Sequence, residues 1–165
     1  RNCRSDFGLL ALSTGFDHSG TSATSTRVCS APADGDHPLM ARVALSSPTA
    51  SAIGPYSHAI DDGTHVFCSG QTPIDPETGG LREGGVGDQT HQCFDNLFAI
   101  LADGGLGPED VVKVNVYLTD MNDFSAMNEA YTTRFEAPQP ARTTVGVAAL
   151  PMNACVEIEL VAKRP

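Results

Sequence analysis

Strict alternation of apolar and polar residues marks a segment near the end of the chain. From residue 156 to residue 160 the sequence reads Val, Glu, Ile, Glu, Leu. A period of two places the three apolar side chains on one face of a β-strand and both Glu side chains on the other. Three further segments, at 64–70, 111–118 and 142–148, predict strands. The turn at 151–153 predicts that the last two strands pair as an antiparallel hairpin.

Two other segments carry apolar residues at helical spacing. Asp88 is placed to cap the first helix, which stops at Gly104 and Gly105. The second helix starts at Asn122 or Asp123 and is ended by the prolines at 138 and 140. The predicted apolar faces consist of Cys93, Phe94, Leu97, Ile100 and Leu101 in the first helix and Phe124, Met127, Tyr131 and Phe135 in the second. The pattern predicts an α+β domain, one sheet with two helices packed on one face.

Such a sheet has a second face that no helix covers. The alternation at 156–160 predicts that Glu157 and Glu159 point to it. If water covers this face, a monomer is sufficient. If the face is partly covered, another subunit must cover it, and clefts between subunits become candidate binding sites.

The first 39 residues differ from the rest of the chain. They are rich in Ser, Thr, Gly and Asp and show no sustained strand or helix period. We therefore expect residues 1–39 to be a largely disordered N-terminal extension. The folded domain is expected to span 40–165, where 7 Lys and Arg stand against 16 Asp and Glu, a net charge of -9.

Charge and composition exclude several classes of function. Phosphates attract Lys and Arg, so a net charge of -10 argues against unaided binding to nucleic acid or anionic lipid. No apolar run approaches the ~18 residues of a membrane-spanning helix. The five widely spaced cysteines include no CxxC pair. This pattern predicts no metal site and favours a reducing compartment, which we take to be the cytoplasm.

Arg142 opens an apolar strand, and two interpretations of it are open. A guanidinium at the start of a buried strand is costly unless it is paired. Its planar fork matches a carboxylate bidentately, which predicts a site for an organic anion. The alternative is an internal salt bridge to Glu157 or Glu159 across the predicted hairpin. Either Glu could be a general base, or simply part of a solvated strand face.

Two short segments could place further polar groups. The turn at 54–57 would hold the Tyr56 hydroxyl in a fixed place, although a plain turn with a packed aromatic ring explains the same residues. Ser69 is followed by Gly70 and Gln71 at a strand end, where backbone N–H groups are exposed.

Eight short motifs occur together, in an order and at a spacing that are jointly specific. They are Ile53-Gly54-Pro55-Tyr56-Ser57, Ser69-Gly70-Gln71, Gln89-Thr90 with Asn96-Leu97, Asp110-Val111-Val112-Lys113, Met127-Asn128-Glu129-Ala130-Tyr131, Pro140-Ala141-Arg142-Thr143, Leu150-Pro151 and Val156-Glu157-Ile158-Glu159. In this combination the chain resembles the Rid (RidA/YjgF) family of enamine/imine deaminases. The resemblance covers about 43–163.

The resemblance implies a chorismate-mutase-like α+β fold. It also implies a homotrimer whose sheets face a central barrel, with three clefts between neighbouring subunits. The implied activity is that of a 2-iminobutanoate/2-iminopropanoate deaminase, a hydrolase that converts reactive 2-enamino and 2-imino acids to 2-keto acids and ammonia. No cofactor and no metal are implied.

The resemblance also assigns roles to residues. Arg142 would bind the substrate carboxylate, and Glu157 would place the attacking water or shuttle its proton. Tyr56, Ser69 and Asn128 would line the cleft and bind the substrate, and Tyr56 would also be a catalytic residue.

Two positions depart from the family pattern. Thr144 stands two residues after the Arg, where many deaminase-competent relatives carry Cys. This predicts altered substrate contacts at this binding position, or loss of a redox-sensitive thiol, rather than loss of activity. His58 stands where Gln is frequent. Because Arg142 is kept, an active deaminase is favoured.

Two other functions remain open at this point. The main alternative is a non-catalytic regulatory protein that binds a small carboxylate in the same cleft between subunits. The other is a ribonuclease or translation inhibitor, an activity attached to some relatives, against which the net charge of -9 on residues 40–165 argues.

Overall fold

The structure is a computed structural model that describes residues 42–47 and 54–165. In these ranges the strands are β1 (Val43–Leu45), β2 (Ala59–Asp61), β3 (His65–Gln71), β4 (Val111–Leu118), β5 (Ala141–Gly146) and β6 (Val156–Lys163). The helices are α1 (Val86–Asp103) and α2 (Phe124–Thr132). The expected extension at 1–39 lies outside the described residues.

The six strands form one mixed sheet in the order β1-β2-β3-β6-β4-β5. Neighbouring strands are antiparallel except β4 and β5, which are parallel. Helix α1 packs on β3 and β6 and on α2. The predicted fold class, a single sheet with two helices on one face, is confirmed. The short strands β1 and β2 were not predicted, because three residues are too few to show a period.

Strand β6 alternates between buried and half-buried residues, as the sequence pattern predicts. Val156, Ile158 and Leu160 lie in the core beneath the helices. Glu157 and Glu159 point to the other side of the sheet. We call this side, which neither helix covers, the open face. It includes Phe67 with 47% of its surface exposed and Val145 with 41% exposed.

The predicted hairpin between the last two strands is wrong. β4 lies between β5 and β6 and forms hydrogen bonds with both. The connection at 147–155 reverses the chain direction as expected, but it passes over the end of β4 instead of closing a hairpin. The sequence pattern predicted β4, β5 and β6 individually. It could not predict that β4 lies between the other two, because β4 is distant from them in the sequence.

The helix ends also differ from the predictions. α1 begins at Val86 after Gly85, and Asp88 lies inside the first turn, where its carboxylate accepts the Gly85 N–H at 3.0 Å. α2 ends at Thr132, well before the prolines. Phe135 nevertheless remains in the core.

Aromatic rings fill the space between the two helices. The Phe94 ring lies 5.5 Å from Tyr131 and 5.3 Å from Phe135, both edge-on. Phe98 lies 5.5 Å from Phe94. Arg134 lies over Phe98 and pairs with Asp95 at the rim of this cluster. No helix in the described part of the chain is long and apolar enough to span a membrane.

Candidate active site

Arg142 lies on the edge strand β5, on the side of the sheet that faces the helices. Its register partner on β4 is Val114, which is fully buried. The guanidinium carbon lies 4.4 Å from the centre of the Tyr131 ring and 5.8 Å from that of Phe124. Helix α2 therefore supplies an aromatic surface for a half-buried cation.

No carboxylate of the described chain pairs with Arg142. The ion pairs in these ranges are Arg82–Asp75, Arg134–Asp95 and Arg164–Asp61. The proposed internal salt bridge to Glu157 or Glu159 is therefore wrong. Those carboxylates belong to the open face, and β4 separates their strand from β5. A half-buried guanidinium without an acid favours the binding of an external anion.

Thr144 and Asn128 belong to the same side of the sheet as Arg142. Thr144 lies two residues further along β5, and its hydroxyl is buried without a hydrogen-bond partner in the described ranges. Asn128 is half-buried on α2, one turn before Tyr131. We call Arg142, Thr144 and Asn128 the cation cluster.

Glu157 lies on the open face, opposite Tyr117 in the register of β6 and β4. It is half-buried. Burial raises the pKa of its carboxyl, and the negative charge of Glu159 raises it further. Glu159 itself accepts hydrogen bonds from Asn115 at 2.8 Å and from the Tyr117 hydroxyl at 2.9 Å. A carboxyl with a raised pKa is a stronger base than an ordinary Glu, which suits it to accept a proton and return it.

Gly70 makes room for the Glu157 carboxylate. A methyl group added at Gly70 would lie 2.1 Å from the carboxylate oxygen Oε1. The adjacent Ser69 donates its hydroxyl to the Ser57 carbonyl at 2.8 Å. Tyr56 precedes Ser57 and has 42% of its surface exposed. We call Glu157, Ser69 and Tyr56 the acid cluster.

The fold separates the two clusters within one chain. Arg142 aligns across β4 with Leu160, which lies three residues from Glu157. With strands about 4.8 Å apart and a rise of about 3.3 Å per residue, the two Cα atoms are roughly 14 Å apart. The side chains also point to opposite faces of the sheet. One small substrate cannot contact both groups of the same chain.

The sequence predicted the charged groups but missed the residues that support them. Tyr131 was assigned to the core of the second helix, and its contact with Arg142 was not foreseen. The role of Gly70 was also missed. The only sequence signal for the contact between Tyr131 and Arg142 was an aromatic residue at position 131, one turn after Asn128 in the shared motif.

Among the described residues, neither a further cleft nor a group of metal-binding side chains adds a second set of site residues. A cleft of about 660 Å³ lined by Pro108, Phe135 and Pro138 contains neither Arg142 nor Glu157. Within the described ranges no three His, Cys, Asp or Glu side chains gather where a metal ion could bind.

The fold and the clusters define a small α+β domain of one mixed sheet, with an arginine available for an anion and an acid of raised pKa. Comparison with known proteins then identifies the family. Residues 46–164 match the family described as Endoribonuclease L-PSP. The chain belongs to this family, which is the YjgF/RidA family, and the resemblance seen in the sequence is confirmed.

Individual relatives carry different names. A protein of Dermatophagoides farinae named 2-iminobutanoate/2-iminopropanoate deaminase is 44% identical over 116 residues, which cover 70% of this chain and 91% of that protein. Protein mmf1, mitochondrial, of Schizosaccharomyces pombe is 40% identical over 129 residues, which cover 76% of this chain and 78% of that protein. RidA from the Antarctic bacterium Psychrobacter sp. matches in structure with a TM-score of 0.72 at 44% identity, covering 74% of this chain and all of that one.

Proposed function

We propose that the protein hydrolyses 2-imino and 2-enamino acids, of the 2-iminopropanoate and 2-aminoacrylate type, to 2-keto acids and ammonia. The observation that carries the proposal is the half-buried Arg142 guanidinium, which has no acid partner in the described chain. The deaminase name of similar proteins supports it.

Arg142 binds the substrate carboxylate in this proposal. A guanidinium fork and a carboxylate form two parallel charge-assisted hydrogen bonds, which fix both position and orientation. The Thr144 hydroxyl, which lies two residues along β5 from Arg142 and is buried without a hydrogen-bond partner among the described residues, is proposed to line the same site. The Asn128 amide of α2 is proposed to join it. Holding the substrate by its carboxylate leaves the imine carbon free for attack.

Glu157 carries the proton transfers. Its carboxylate takes a proton from water as the oxygen adds to the imine carbon, and the proton is passed to nitrogen. As the C–N bond of the resulting carbinolamine breaks, Glu157 takes the hydroxyl proton and returns it to nitrogen, so the keto group forms and ammonia leaves. A 2-enamino acid first gains a proton on its β-carbon and loses one from nitrogen, which converts it to the imine. The raised pKa of Glu157 supports this role, because a base that must return its proton works best near the operating pH.

The active site is proposed to form between chains. Since the cation and acid clusters of one chain lie on opposite faces of the sheet, Arg142 of one subunit must meet Glu157 of a neighbour. The exposed Phe67 and Val145 on the open face support its burial against other subunits. We propose a homotrimer in which the sheets face one another, with one site in each of the three clefts.

The activity is tested in a coupled assay. An amino-acid oxidase or a dehydratase generates the imino acid, and semicarbazide traps what is not hydrolysed first. We expect the protein to suppress semicarbazone formation, and an unchanged rate of trapping would contradict the proposal. Light scattering after size exclusion tests the trimer in the same preparation.

One observation favours a second candidate function. Among the described residues of a single chain, Arg142 has no acid partner and Glu157 lies on the opposite face of the sheet, so the chain could bind a small carboxylate without turnover. A non-catalytic regulatory protein of this kind would bind 2-oxobutanoate saturably in calorimetry and leave the semicarbazide assay unchanged. A ribonuclease, the activity in the family's description, is disfavoured by the charge of -9 on residues 40–165.

The compartment is also a proposal. The three cysteines of the described ranges, Cys68, Cys93 and Cys155, are free thiols. Free buried thiols are typical of reducing compartments, so we propose the cytoplasm. Fluorescent fusions with and without residues 1–39 test this. Import of the longer fusion into an organelle would contradict it.

A further inference from the structure

We propose that Tyr131 is a positioning residue for Arg142, and that its ring is the platform that holds the guanidinium ready to bind a carboxylate. The inference rests on the proposed function, because it takes Arg142 as the anion-binding group. It adds to that function a residue that does not itself contact the substrate.

The Tyr131 ring is fixed by the core. Only 2% of the residue is exposed. Its ring lies 5.5 Å from Phe94 and 5.2 Å from Phe135. A ring held by two other rings cannot move independently, so a group that rests on it inherits a defined position.

The other side of the ring supports the guanidinium. At 4.4 Å from the ring centre, the Arg142 carbon Cζ lies within the range of a strong cation–π contact. Phe124 is more distant at 5.8 Å and is 39% exposed, so its contribution is smaller. The guanidinium forms no ion pair in the described chain, so the rings are what orient it there.

The ring, and not the hydroxyl, is expected to carry this role. The Tyr131 hydroxyl oxygen is buried without a hydrogen-bond partner among the described residues. Burial raises its pKa, so it remains a neutral group. Removal of an unpaired buried hydroxyl costs little, whereas removal of the ring frees a long side chain that must be ordered again when substrate binds.

The test measures how tightly 2-oxobutanoate, a 2-keto acid product, inhibits the full-length protein competitively, together with KM and kcat. Tyr131→Phe keeps the ring and should leave the inhibition constant within about 2-fold. Tyr131→Leu removes the ring and should raise both the inhibition constant and KM by roughly 3- to 10-fold, with a smaller change in kcat. Phe98→Leu is the matched control, since Phe98 belongs to the same aromatic cluster but rests under Arg134.

Three results would overturn the proposal. They are an unchanged inhibition constant in Tyr131→Leu, an equal rise in Phe98→Leu, and an equal rise in Tyr131→Phe, which would assign the role to the hydroxyl. If Tyr131→Leu does not fold, pentafluorophenylalanine at position 131 keeps the volume and removes the negative ring face. It should weaken inhibition relative to Tyr131→Phe, and equal inhibition would overturn the platform.

Failure of the deaminase function gives a different result. A wild-type protein that binds 2-oxobutanoate in calorimetry without turnover refutes the enzyme, and the same variants then test the platform by their dissociation constants. A wild-type protein that does not bind 2-oxobutanoate at all refutes the platform too.

Discussion

The charged side chains of the cation cluster and the acid cluster lie in different surroundings. Arg142 rests on the face of Tyr131, on the helix side of the sheet. Glu157 fits against Gly70 on the open face, with the like charge of Glu159 nearby. Neither group has an oppositely charged partner in the described chain. Each cluster therefore lacks an oppositely charged partner within the described chain, as expected if the proposed site is shared between neighbouring chains and a charged ligand.

The largest expected effect comes from removing the cation. Arg142→Ala should lower kcat/KM roughly 1000-fold, because a bidentate charge-assisted pair with the substrate is lost. The free energy of unfolding should change by only about 1 kcal/mol, since the side chain loses mainly its ring contacts. The semicarbazide assay and urea unfolding measure the two quantities.

Arg82→Ala is the control for loss of a positive charge. Arg82 is exposed and pairs with Asp75 in a loop far from β5 in sequence. Its loss should leave kcat/KM unchanged. If Arg142→Ala dissociates the assembly or unfolds the chain while Arg82→Ala does not, the guanidinium is structural.

Removal of the acid should be the next largest effect. Glu157→Gln keeps the shape but cannot exchange a proton, so kcat should fall roughly 100-fold. Binding of 2-oxobutanoate, which we propose to depend on the cation cluster, should change little. Equal losses of binding in Glu157→Gln and Arg142→Ala would contradict the division of roles between the clusters.

Gly70→Ala tests the acid cluster without altering a charge. The added methyl group would lie 2.1 Å from the Glu157 carboxylate oxygen, and the flexible carboxylate must move away. We expect kcat to fall about 10-fold with the fold intact, since displacement of a catalytic group by about 1 Å is costly.

Gly80→Ala is the matched control, because the nearest atom to its added methyl group is 3.7 Å away. In the Glu157→Gln background, Gly70→Ala should have little further effect on kcat. Additive losses would show that Gly70 acts on something other than Glu157.

The smallest expected effect is a shift in the pH profile. Burial and the charge of Glu159 raise the pKa of Glu157, so activity should fall on the acid side at a pH above the ordinary range of Glu. Glu159→Gln removes the like charge and should move this acid limb to lower pH by less than about one unit. An unchanged limb would mean that another group controls it.

The same pKa has a consequence for stability. The folded chain holds the Glu157 proton more tightly than the unfolded chain does, so this contribution favours folding at low pH. It is lost as the pH rises through the raised pKa of the folded state. Glu157→Gln should therefore increase the free energy of unfolding at pH 7 more than at pH 4. Urea titrations at the two pH values measure the difference.

Much of the fold could be predicted from local pattern. The alternation at 156–160 predicted which side chains of β6 are buried, and the apolar spacing predicted both helices. These properties depend on neighbours in the sequence, because side-chain direction has a period of two in a strand and 3.6 in a helix. The charged candidates Arg142 and Glu157 were found the same way, from their places in strands and in shared motifs.

Contacts between residues that are distant in the sequence could be identified only from the tertiary structure. Because β4 lies between β5 and β6, Arg142 does not contact Glu157 as one interpretation predicted. Its guanidinium instead packs on the ring of Tyr131. Strand order depends on how whole faces pack, and that information is spread over the chain. The sequence alone identified Arg142 and Glu157 as the charged candidates. Only the strand order and register of the folded sheet place their side chains on opposite faces.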